Sequence, residues 1–386
     1  MSKFKIIVNV ATILIIAFFI FTSWEWILEA LVQMKDLVWW LVILQVPAKL
    51  MSLGAVAHLY YSYFQNTGTL GKLKLKEMYK IAMELNFING VFPNAGASGF
   101  SYLSLRLRPF GINVAASTLA QSMRYVLTFL SFLIFLGLGL FILAIDGRAN
   151  DLVMLIGGSV FFLAIFGTIV FIFLISSRKR IKEFTAWLPK AINKIVQTIH
   201  YRSDKELIDM VKVERVLGEI HLGYMDLKRN FGALRQPFIY ALGVNFFEIA
   251  TVYVVYLAFG EFVNPGSVIL SYAVANFAGL VTILPGGIGL YDALMVRVAT
   301  ITGVKGDLAL GATLVYRVFN LFTLIPVGMV FYYFAVNRGK VKFDVKKDAK
   351  PKDVLSDLQS LKAEKKPNRR FRGKAKTAQR IKRDKS

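Results

Sequence analysis

Residues 284–292 read Leu-Pro-Gly-Gly-Ile-Gly-Leu-Tyr-Asp and interrupt an apolar region that runs from Val268 to Ile301. Proline removes a backbone hydrogen-bond donor and glycine favours non-helical conformations, so this stretch predicts a break between two short helices. Non-helical backbone within a membrane is tolerated only where protein or a water-filled cavity covers it. The interruption therefore predicts a membrane-embedded feature rather than an ordinary loop.

A second, weaker copy of this pattern lies in the first half of the chain. Residues 93–99 read Pro-Asn-Ala-Gly-Ala-Ser-Gly, and the 28-residue spacing from Gly96 to Arg124 equals the spacing from Gly289 to Arg317. The two units are offset by 193 residues, which is half the chain. Paired glycine- and proline-broken segments are typical of transporters built from internal repeats. The sequence thus predicts a duplicated membrane unit with one arginine in each copy.

Composition places most of the chain in a membrane. Of the 386 residues, 56% are apolar and the mean hydropathy is +0.54, which is more apolar surface than a soluble domain can bury. The sequence has no cysteine, which excludes disulfides, thiolate metal sites and a cysteine nucleophile, and we predict no cofactor. We predict an all-α polytopic membrane protein with about six full spans. The apolar runs are Ile6–Phe21, Leu37–Tyr61, Ile112–Ile145, Asp151–Ser176, Pro237–Phe259 and Leu308–Phe334.

The distribution of basic residues orients these spans. Lysine and arginine are concentrated at the N-terminus, in residues 65–85 and 178–235, and in the C-terminal tail. The positive-inside rule places these segments, and therefore both termini, in the cytoplasm of a multi-pass protein of the plasma membrane. The short segments that carry most of the local acid belong outside, and they are residues 23–36, 146–150 and 260–267.

This orientation holds only if residues 82–105 and 267–303 each enter and leave the membrane on one side. We therefore predict two re-entrant hairpins, the first entering from the cytoplasm and the second from outside. The two copies of the repeat then have opposite orientations in the bilayer. That arrangement is an inverted repeat, as in many transporters.

The predicted organisation has five parts. They are an N-terminal span and outer loop (1–36), a first membrane repeat (37–177), amphipathic cytoplasmic helices (178–235), a second membrane repeat (236–337) and a basic tail (338–386). The tail carries 19 lysines and arginines against 6 acidic residues and is predicted to be disordered. It acts either as a topology signal or as an electrostatic tether to anionic lipid, and we expect no nucleic-acid partner.

The two arginines of the repeat lie deep in the membrane. Arg124 and Arg317 are each about ten residues into a span, roughly 15–18 Å deep in a core about 30 Å thick. A charge at that depth needs a partner or a cavity. Two interpretations stay open: structural ion pairs, with Glu248 and Asp292 as candidate partners, or a central cavity whose arginines bind an anionic headgroup.

Lys49 is also deep, in the span that covers residues 37–61, and Glu248 occupies a comparable place before the second hairpin. We consider a Lys49–Glu248 ion pair across the interface of the two repeats. The alternative is that either side chain extends to the membrane surface or contacts neutral polar residues such as Gln45 and Asn245.

The motif at 284–292, followed by Tyr316-Arg317, resembles the signature of the lysylphosphatidylglycerol synthase transmembrane-region family, a flippase-like group also called UPF0104. Its usual pattern is Pro-Gly-Gly-Leu-Gly-x-x-Glu with an arginine in the following span. The resemblance covers roughly residues 37–335. In this chain aspartate stands where glutamate is usual, and the first-half motif around Gly96 is weaker. The resemblance implies functional roles for Pro285, Gly286, Gly287, Gly289, Asp292 and Arg317.

The leading functional interpretation is a lipid transporter that moves an anionic or modified phospholipid, or a polyprenyl-phosphate-linked lipid, between leaflets. Membrane lipids with anionic headgroups are the expected partners, and a homo-oligomer is compatible with the sequence. The candidate binding residues are Arg124, Arg317, Asp292, Glu248, Lys49, Gly96 and the glycines and proline of the 285–289 motif. No nucleotide-binding loop of the Walker type is present in the sequence, so energy would come from ions, gradients or lipid synthesis.

Two other classes of function stay open. A membrane transferase or its accessory subunit would use Glu248 or Asp292 as a base on a lipid-linked donor. A scaffold would recruit partners through its basic tail. Bifunctional members of the family carry a soluble aminoacyl-transferase domain after the membrane region, and only about 50 residues follow the last span here, too few to form such a core. We therefore expect that this chain does not aminoacylate lipids by itself and is not an enzyme of that kind.

Overall fold

The computed structural model describes residues 37–91, 97–146, 151–198, 231–281 and 290–337, with a few positions between 217 and 228. Within these ranges every regular element is helical, as predicted. The predicted first span and the basic tail lie outside the described residues. The α-helices of the described ranges are, in chain order, α1 (Trp39–Ile43), α2 (Gln45–Asn66), α3 (Leu75–Val91), α4 (Ala97–Leu107), α5 (Val114–Ile145), α6 (Asp151–Ile175), α7 (Arg178–Thr198), α8 (Arg235–Ala258), α9 (Pro265–Val281), α10 (Leu290–Ile301) and α11 (Gly306–Asn337).

Four helical stretches among the described residues are long and apolar enough to cross a membrane. They are Trp39–Asn66, Val114–Ile145, Gly157–Ile175 and Gly232–Ala258. The first contains both α1 and α2, which are separated at Leu44. Pro47 follows and has no N–H to donate to the Ile43 carbonyl, which accounts for the break. The total of six spans stays a prediction.

Two pairs of short helices occupy the predicted hairpins. The first pair, α3 and α4, flanks residues 92–96, and the second pair, α9 and α10, flanks residues 282–289. The first pair begins at Leu75, earlier than the predicted residue 82. The reason is that α3 is amphipathic. Its charged residues interrupt the apolar run in the sequence, although its other face is apolar and buried and includes Met78 and Ile81.

The two halves of the chain repeat the same order of helices. Helices α2 to α5 have 22, 17, 11 and 32 residues, and α8 to α11 have 24, 17, 12 and 32. Glycines with left-handed backbone close the turns after equivalent helices, Gly68 with Gly260 and Gly111 with Gly303. Each pair is separated by 192 residues, close to the 193 that relates the two arginines. These matches support duplication of one structural unit.

The equivalent helices α2 and α8 pack against each other in opposite directions. The Val38 N–H donates to the Ala258 carbonyl at 2.9 Å, and the Asn66 amide donates to the Ala233 carbonyl at 2.7 Å, so the chain order is reversed along the whole pair. Antiparallel packing of equivalent helices is what an inverted repeat requires. The orientation of the two halves in the bilayer stays a prediction.

The remaining long helices pack on the hairpin of the other half. Helix α5 packs on α9. The Ile269 side chain lies against Gly139, and a Cβ added to Gly139 would be 2.7 Å from it. Helix α11 packs on α3, where a Cβ on Gly328 would lie 2.4 Å from the Cβ of Phe87. Because α5 is equivalent to α11 and α9 to α3, these two contacts are equivalent to each other, as in a two-fold interface.

Helix α6 lies at the edge of the bundle. Its large apolar side chains Phe162, Ile169 and Phe173 are all about three-fifths or more exposed, which suits contact with lipid tails. Helix α7 begins three residues after α6 ends and is strongly amphipathic, as predicted for the first part of the 178–235 segment. The Arg180 guanidinium lies 3.9 Å from the centre of the Phe173 ring, which is a cation–π contact between α7 and α6.

Candidate functional site

An ion pair between a buried lysine and a partly buried glutamate joins the two halves across the α2–α8 interface. The Lys49 ammonium lies 2.7 Å from both carboxylate oxygens of Glu248, and the Ser52 hydroxyl donates to the same carboxylate at 2.7 Å. Lys49 and Ser52 share one face of α2, because residues three apart on a helix are neighbours. The pair that the sequence suggested between Lys49 and Glu248 is therefore present in the structure.

Arg124 of α5 lies at the same level as this pair. The Asn245 amide of α8 donates to the Thr128 carbonyl of α5 at 2.8 Å, and the two helices run in opposite directions at that contact. Glu248 is one turn beyond Asn245, and Arg124 is one turn before Thr128, so both reach one level. Their separation is close enough for electrostatic attraction, although they form no ion pair.

The surroundings of Arg124 are aromatic. Its Nη1 lies 3.5 Å from the Tyr60 hydroxyl, and its guanidinium carbon lies 5.5 Å from the centre of the Tyr125 ring. Tyr60 in turn donates to the Gln121 side chain. Among the described residues, the buried Nε of Arg124 has no hydrogen-bond partner. The guanidinium therefore presents a donor that the described part of the protein does not satisfy.

Arg317 has a different environment. Its Nε donates to one oxygen of Asp292 at 2.6 Å and its Nη2 to the other at 3.0 Å, which is a bidentate ion pair between α11 and α10. The guanidinium also stacks over Tyr291, with 4.6 Å from its carbon to the ring centre. Of the two interpretations left open by the sequence, the ion pair with Asp292 is the one seen for Arg317.

The repeat explains why the two arginines differ. The 193-residue offset that relates Arg124 to Arg317 relates Asp292 to Gly99, so the first half has no carboxylate at this position. Helix α4 instead packs closely at Gly99. A Cβ there would lie 2.5 Å from the Asn89 Oδ1 and 3.2 Å from the Gln121 Nε2. The equivalent positions thus hold an acid in one half and a neutral polar cluster in the other.

The two arginine sites are connected through tyrosines around Glu248. Tyr272, Tyr291 and Tyr316 all lie close enough to the Glu248 carboxylate to interact with it electrostatically, and Tyr291 also contacts Arg317. We call the ionised side chains of this region the charged centre, defined as Lys49, Arg124, Glu248, Asp292 and Arg317. Helices α2, α5, α8, α10 and α11 each contribute one residue to it.

Sequence reasoning missed a second buried charge network, inside the first hairpin. The Glu84 carboxylate of α3 accepts hydrogen bonds from the Arg106 Nε at 2.8 Å, from its Nη2 at 3.3 Å, and from the Tyr102 hydroxyl at 2.8 Å. Glu84 and Arg106 are almost completely buried. The spacing of these residues in the sequence could not reveal the contact, because it depends on which faces of α3 and α4 pack together.

The remaining predicted site residues cannot be placed. Gly96, Pro285, Gly286, Gly287 and Gly289 lie outside the described residues. No group of three or more histidine, aspartate or glutamate side chains suited to a metal ion is present in the ranges that the structure describes. The chemistry available in those ranges is therefore that of the charged centre and its hydroxyl and amide neighbours.

Comparisons with known proteins place these features in a family. The family described as "Lysylphosphatidylglycerol synthase TM region" matches residues 6–328. Two curated relatives, both UPF0104 membrane proteins from Methanothermobacter thermautotrophicus (strain Delta H), are 32% identical over 110 residues and 22% identical over 152 residues. These alignments cover 28% and 38% of this chain, and 33% and 42% of the relatives. No solved structure matches the chain. The chain therefore belongs to the family of the lysylphosphatidylglycerol synthase transmembrane region and is a multi-pass membrane protein built of α-helices.

Proposed function

We propose that this protein moves a lipid with an anionic headgroup between the two leaflets of the plasma membrane. The lipid is an anionic or modified phospholipid or a polyprenyl-phosphate-linked lipid. The proposal rests on the electrostatic environment of Arg124. It holds a guanidinium within the bundle without forming an ion pair to any described carboxylate, whereas its counterpart Arg317 is paired with Asp292.

The charge of the centre supports binding of an anion. Its three cations, Lys49, Arg124 and Arg317, exceed its two carboxylates, Glu248 and Asp292, by one charge. An uncompensated cation is costly in a low-dielectric interior, so an anion that binds there is attracted strongly. A phosphate on a lipid headgroup supplies the missing negative charge.

The geometry around Arg124 suits a phosphate. A guanidinium offers two parallel N–H donors that match two phosphate oxygens, and the unsatisfied Nε is one of these donors. The Tyr60 hydroxyl and the Gln121 amide lie beside it and can orient further oxygens. The tyrosine rings that flank the guanidinium keep it in place by cation–π contact.

Transport follows from the repeat. The headgroup binds between the two halves while its acyl chains stay in the bilayer, and rocking of one half against the other exposes the centre to each side in turn. The α5–α9 and α3–α11 contacts lie between the halves, so rocking changes these two interfaces, while the apolar surface of α6 faces lipid. Both termini lie in the cytoplasm in this arrangement.

The test is lipid translocation by purified protein in vesicles that contain fluorescent phosphatidylglycerol, measured by dithionite quenching of the outer leaflet. We expect Arg124→Gln to slow translocation roughly 10- to 100-fold, because hydrogen bonds to a charged group contribute about 1.5–3 kcal/mol. Arg124→Lys should give an intermediate rate, because it keeps the charge but loses the forked geometry.

The matched control is Arg297→Gln, since Arg297 is an exposed arginine on α10 away from the charged centre. It should translocate lipid at the wild-type rate. Folding of each variant is checked by its elution in size-exclusion chromatography and by its thermal midpoint. A folded Arg124→Gln protein that moves phosphatidylglycerol as fast as wild type contradicts the proposal.

A further inference from the structure

We propose that Glu248 takes up a proton when the charged centre binds an anionic headgroup, so that lipid and proton cross the membrane together. This inference rests on the proposed function and deepens it by naming the coupling ion. Its basis is that one carboxylate of the second half is shared by two cations of the first half: Lys49 contacts both of its oxygens at 2.7 Å, and Arg124 attracts it from the same level.

Glu248 is the carboxylate on which titratable groups of five helices converge. Helix α1, which also packs on α8, has only apolar and tryptophan side chains. The Ser52 hydroxyl is a neutral donor to the carboxylate. The titratable groups that face it are Lys49 on α2, Arg124 on α5, Tyr272 on α9, Tyr291 on α10 and Tyr316 on α11. A change in the charge of Glu248 therefore changes the electrostatic energy of side chains in both halves.

A bound phosphate competes with Glu248 for the same two cations. When the phosphate takes the donors of Arg124 and Lys49, the carboxylate is left next to a second anion in an interior where like charges repel strongly. Proton transfer from hydronium to the carboxylate removes this repulsion and leaves a carboxylic acid and water. Lys49 remains an ammonium and Arg124 a guanidinium, and the new O–H can donate to the phosphate.

Two buried polar side chains lie between the α1 end of the helix pair and Glu248. Among the described residues, neither the amide nitrogen nor the amide oxygen of Gln45 has a hydrogen-bond partner, and the same holds for the Tyr256 hydroxyl. Gln45 is 1% exposed and Tyr256 is 0% exposed. Both lie between the Val38–Ala258 hydrogen bond and the Lys49–Glu248 pair on the antiparallel helices.

Unpaired buried groups of this kind are places for ordered water, which needs two to four polar partners. Gln45 is one helical turn before Lys49 on α2, and Tyr256 is two turns after Glu248 on α8. Water held by these two side chains would connect the α1 end of the helix pair to the Glu248 carboxylate. A proton can reach the acid along such water without crossing an apolar barrier.

The experiment is calorimetric titration of the purified full chain in detergent with dihexanoyl phosphatidylglycerol. Titrations in two buffers with different ionisation enthalpies give the number of protons taken up per lipid bound. We expect proton uptake by wild type, with an affinity that weakens as pH rises, by up to about tenfold per pH unit for one coupled proton. Glu248→Gln should bind lipid with an affinity independent of pH and with no proton uptake.

Two further variants keep the outcome decisive. Glu261→Gln alters an exposed carboxylate outside the helices and should behave like wild type. Lys49→Gln/Glu248→Gln removes both buried charges together, so it avoids an unpaired lysine if the single variant does not fold, and it should also show no proton uptake. Wild-type binding without proton uptake, or uptake that persists in folded protein without Glu248, overturns the coupling but leaves lipid binding standing. Absence of any lipid binding by wild type at every pH contradicts the proposed function itself.

Discussion

The Lys49 ammonium lies 2.7 Å from both carboxylate oxygens of Glu248, and this contact joins the equivalent helices of the two halves. Removing two charges from water is costly, and the attraction between them offsets that cost only when the geometry is good. The Ser52 hydroxyl improves it by donating a third hydrogen bond to the carboxylate. The interface between the halves thus contains a three-residue polar cluster of Lys49, Glu248 and Ser52.

The antiparallel packing of α2 and α8 can be tested with a disulfide. A Cβ placed on Gly243 would lie 3.5 Å from the Cβ of Ala55, within the range of about 3.5–4.5 Å that a disulfide requires. We expect Ala55→Cys/Gly243→Cys to oxidise readily, and the natural chain has no cysteine to interfere. The readout is protection of both thiols from maleimide labelling, restored by reductant. The pair Ala55→Cys/Ala258→Cys is the control, because these residues lie at different levels; equal oxidation of both pairs would argue against the packing described.

The absence of an acid at Gly99 should be required for function. Gly99→Asp introduces a carboxylate at the position that corresponds to Asp292, so we expect it to pair with Arg124 and reduce lipid translocation at least about tenfold. Gly99→Asn has nearly the same size and the same clash with the flexible Asn89 amide, but no charge. Translocation assays on the two variants therefore isolate the effect of charge. Equal activity of the two variants would show that neutralising Arg124 is without consequence.

The Asp292–Arg317 pair is predicted to stabilise the second half. Asp292→Asn leaves a guanidinium that has lost its bidentate partner, and breaking a buried pair in this way typically costs about 3–5 kcal/mol. We expect a clear fall in the thermal midpoint in detergent. Asp292→Glu, which restores the residue usual in the family signature, should keep the pair and most of the stability. The double variant Asp292→Asn/Arg317→Gln should recover part of the loss, because it leaves no charge unpaired; a strictly additive loss would contradict the pairing.

The charge network of the first hairpin makes a separate prediction. Glu84→Gln removes the negative charge and replaces one of the two acceptor oxygens that bind Arg106 and Tyr102 by an NH₂ donor, and we expect a loss of about 3–5 kcal/mol in the free energy of unfolding. Tyr102→Phe removes one hydrogen bond to a charged acceptor and should cost only about 1.5–3 kcal/mol. Chemical denaturation in mixed micelles ranks the two variants. Folded Glu84→Gln protein should still move lipid, because Glu84 is not part of the charged centre, and the reverse order of stability would contradict the network.

Charged residues within apolar runs were the part of the site that could be read from the sequence. Lys49, Glu248, Arg124 and Arg317 stand out because ionised groups are rare at membrane depth, and the family signature linked Arg317 with Asp292. The pairing of Lys49 with Glu248 was one of several alternatives. It is decided by the register of α2 on α8, which depends on contacts about 200 residues apart along the chain.

The neutral and amphipathic parts of the site could not be predicted. Gln45 and Tyr256 look ordinary in a membrane span, and only the packing reveals that their polar atoms lack partners among the described residues. Glu84 lies in α3, whose charged residues are typical of a solvated helix face. The structure instead buries Glu84 against Arg106 of α4, so tertiary contact overrides the local pattern there.

The exchange of contacts between the halves, with α5 on α9 and α11 on α3, has a consequence for the origin of the protein. A half-length ancestor could have formed the same contacts as a homodimer of two oppositely inserted copies, but both copies would then have carried identical arginine sites. Once the two copies have separate sequences, one can keep an acid beside its arginine while the other holds glycine, as in this chain. The asymmetry between Gly99 and Asp292 thus separates the two arginines into one that is paired within the bundle and one that, in the proposed function, is left for the headgroup.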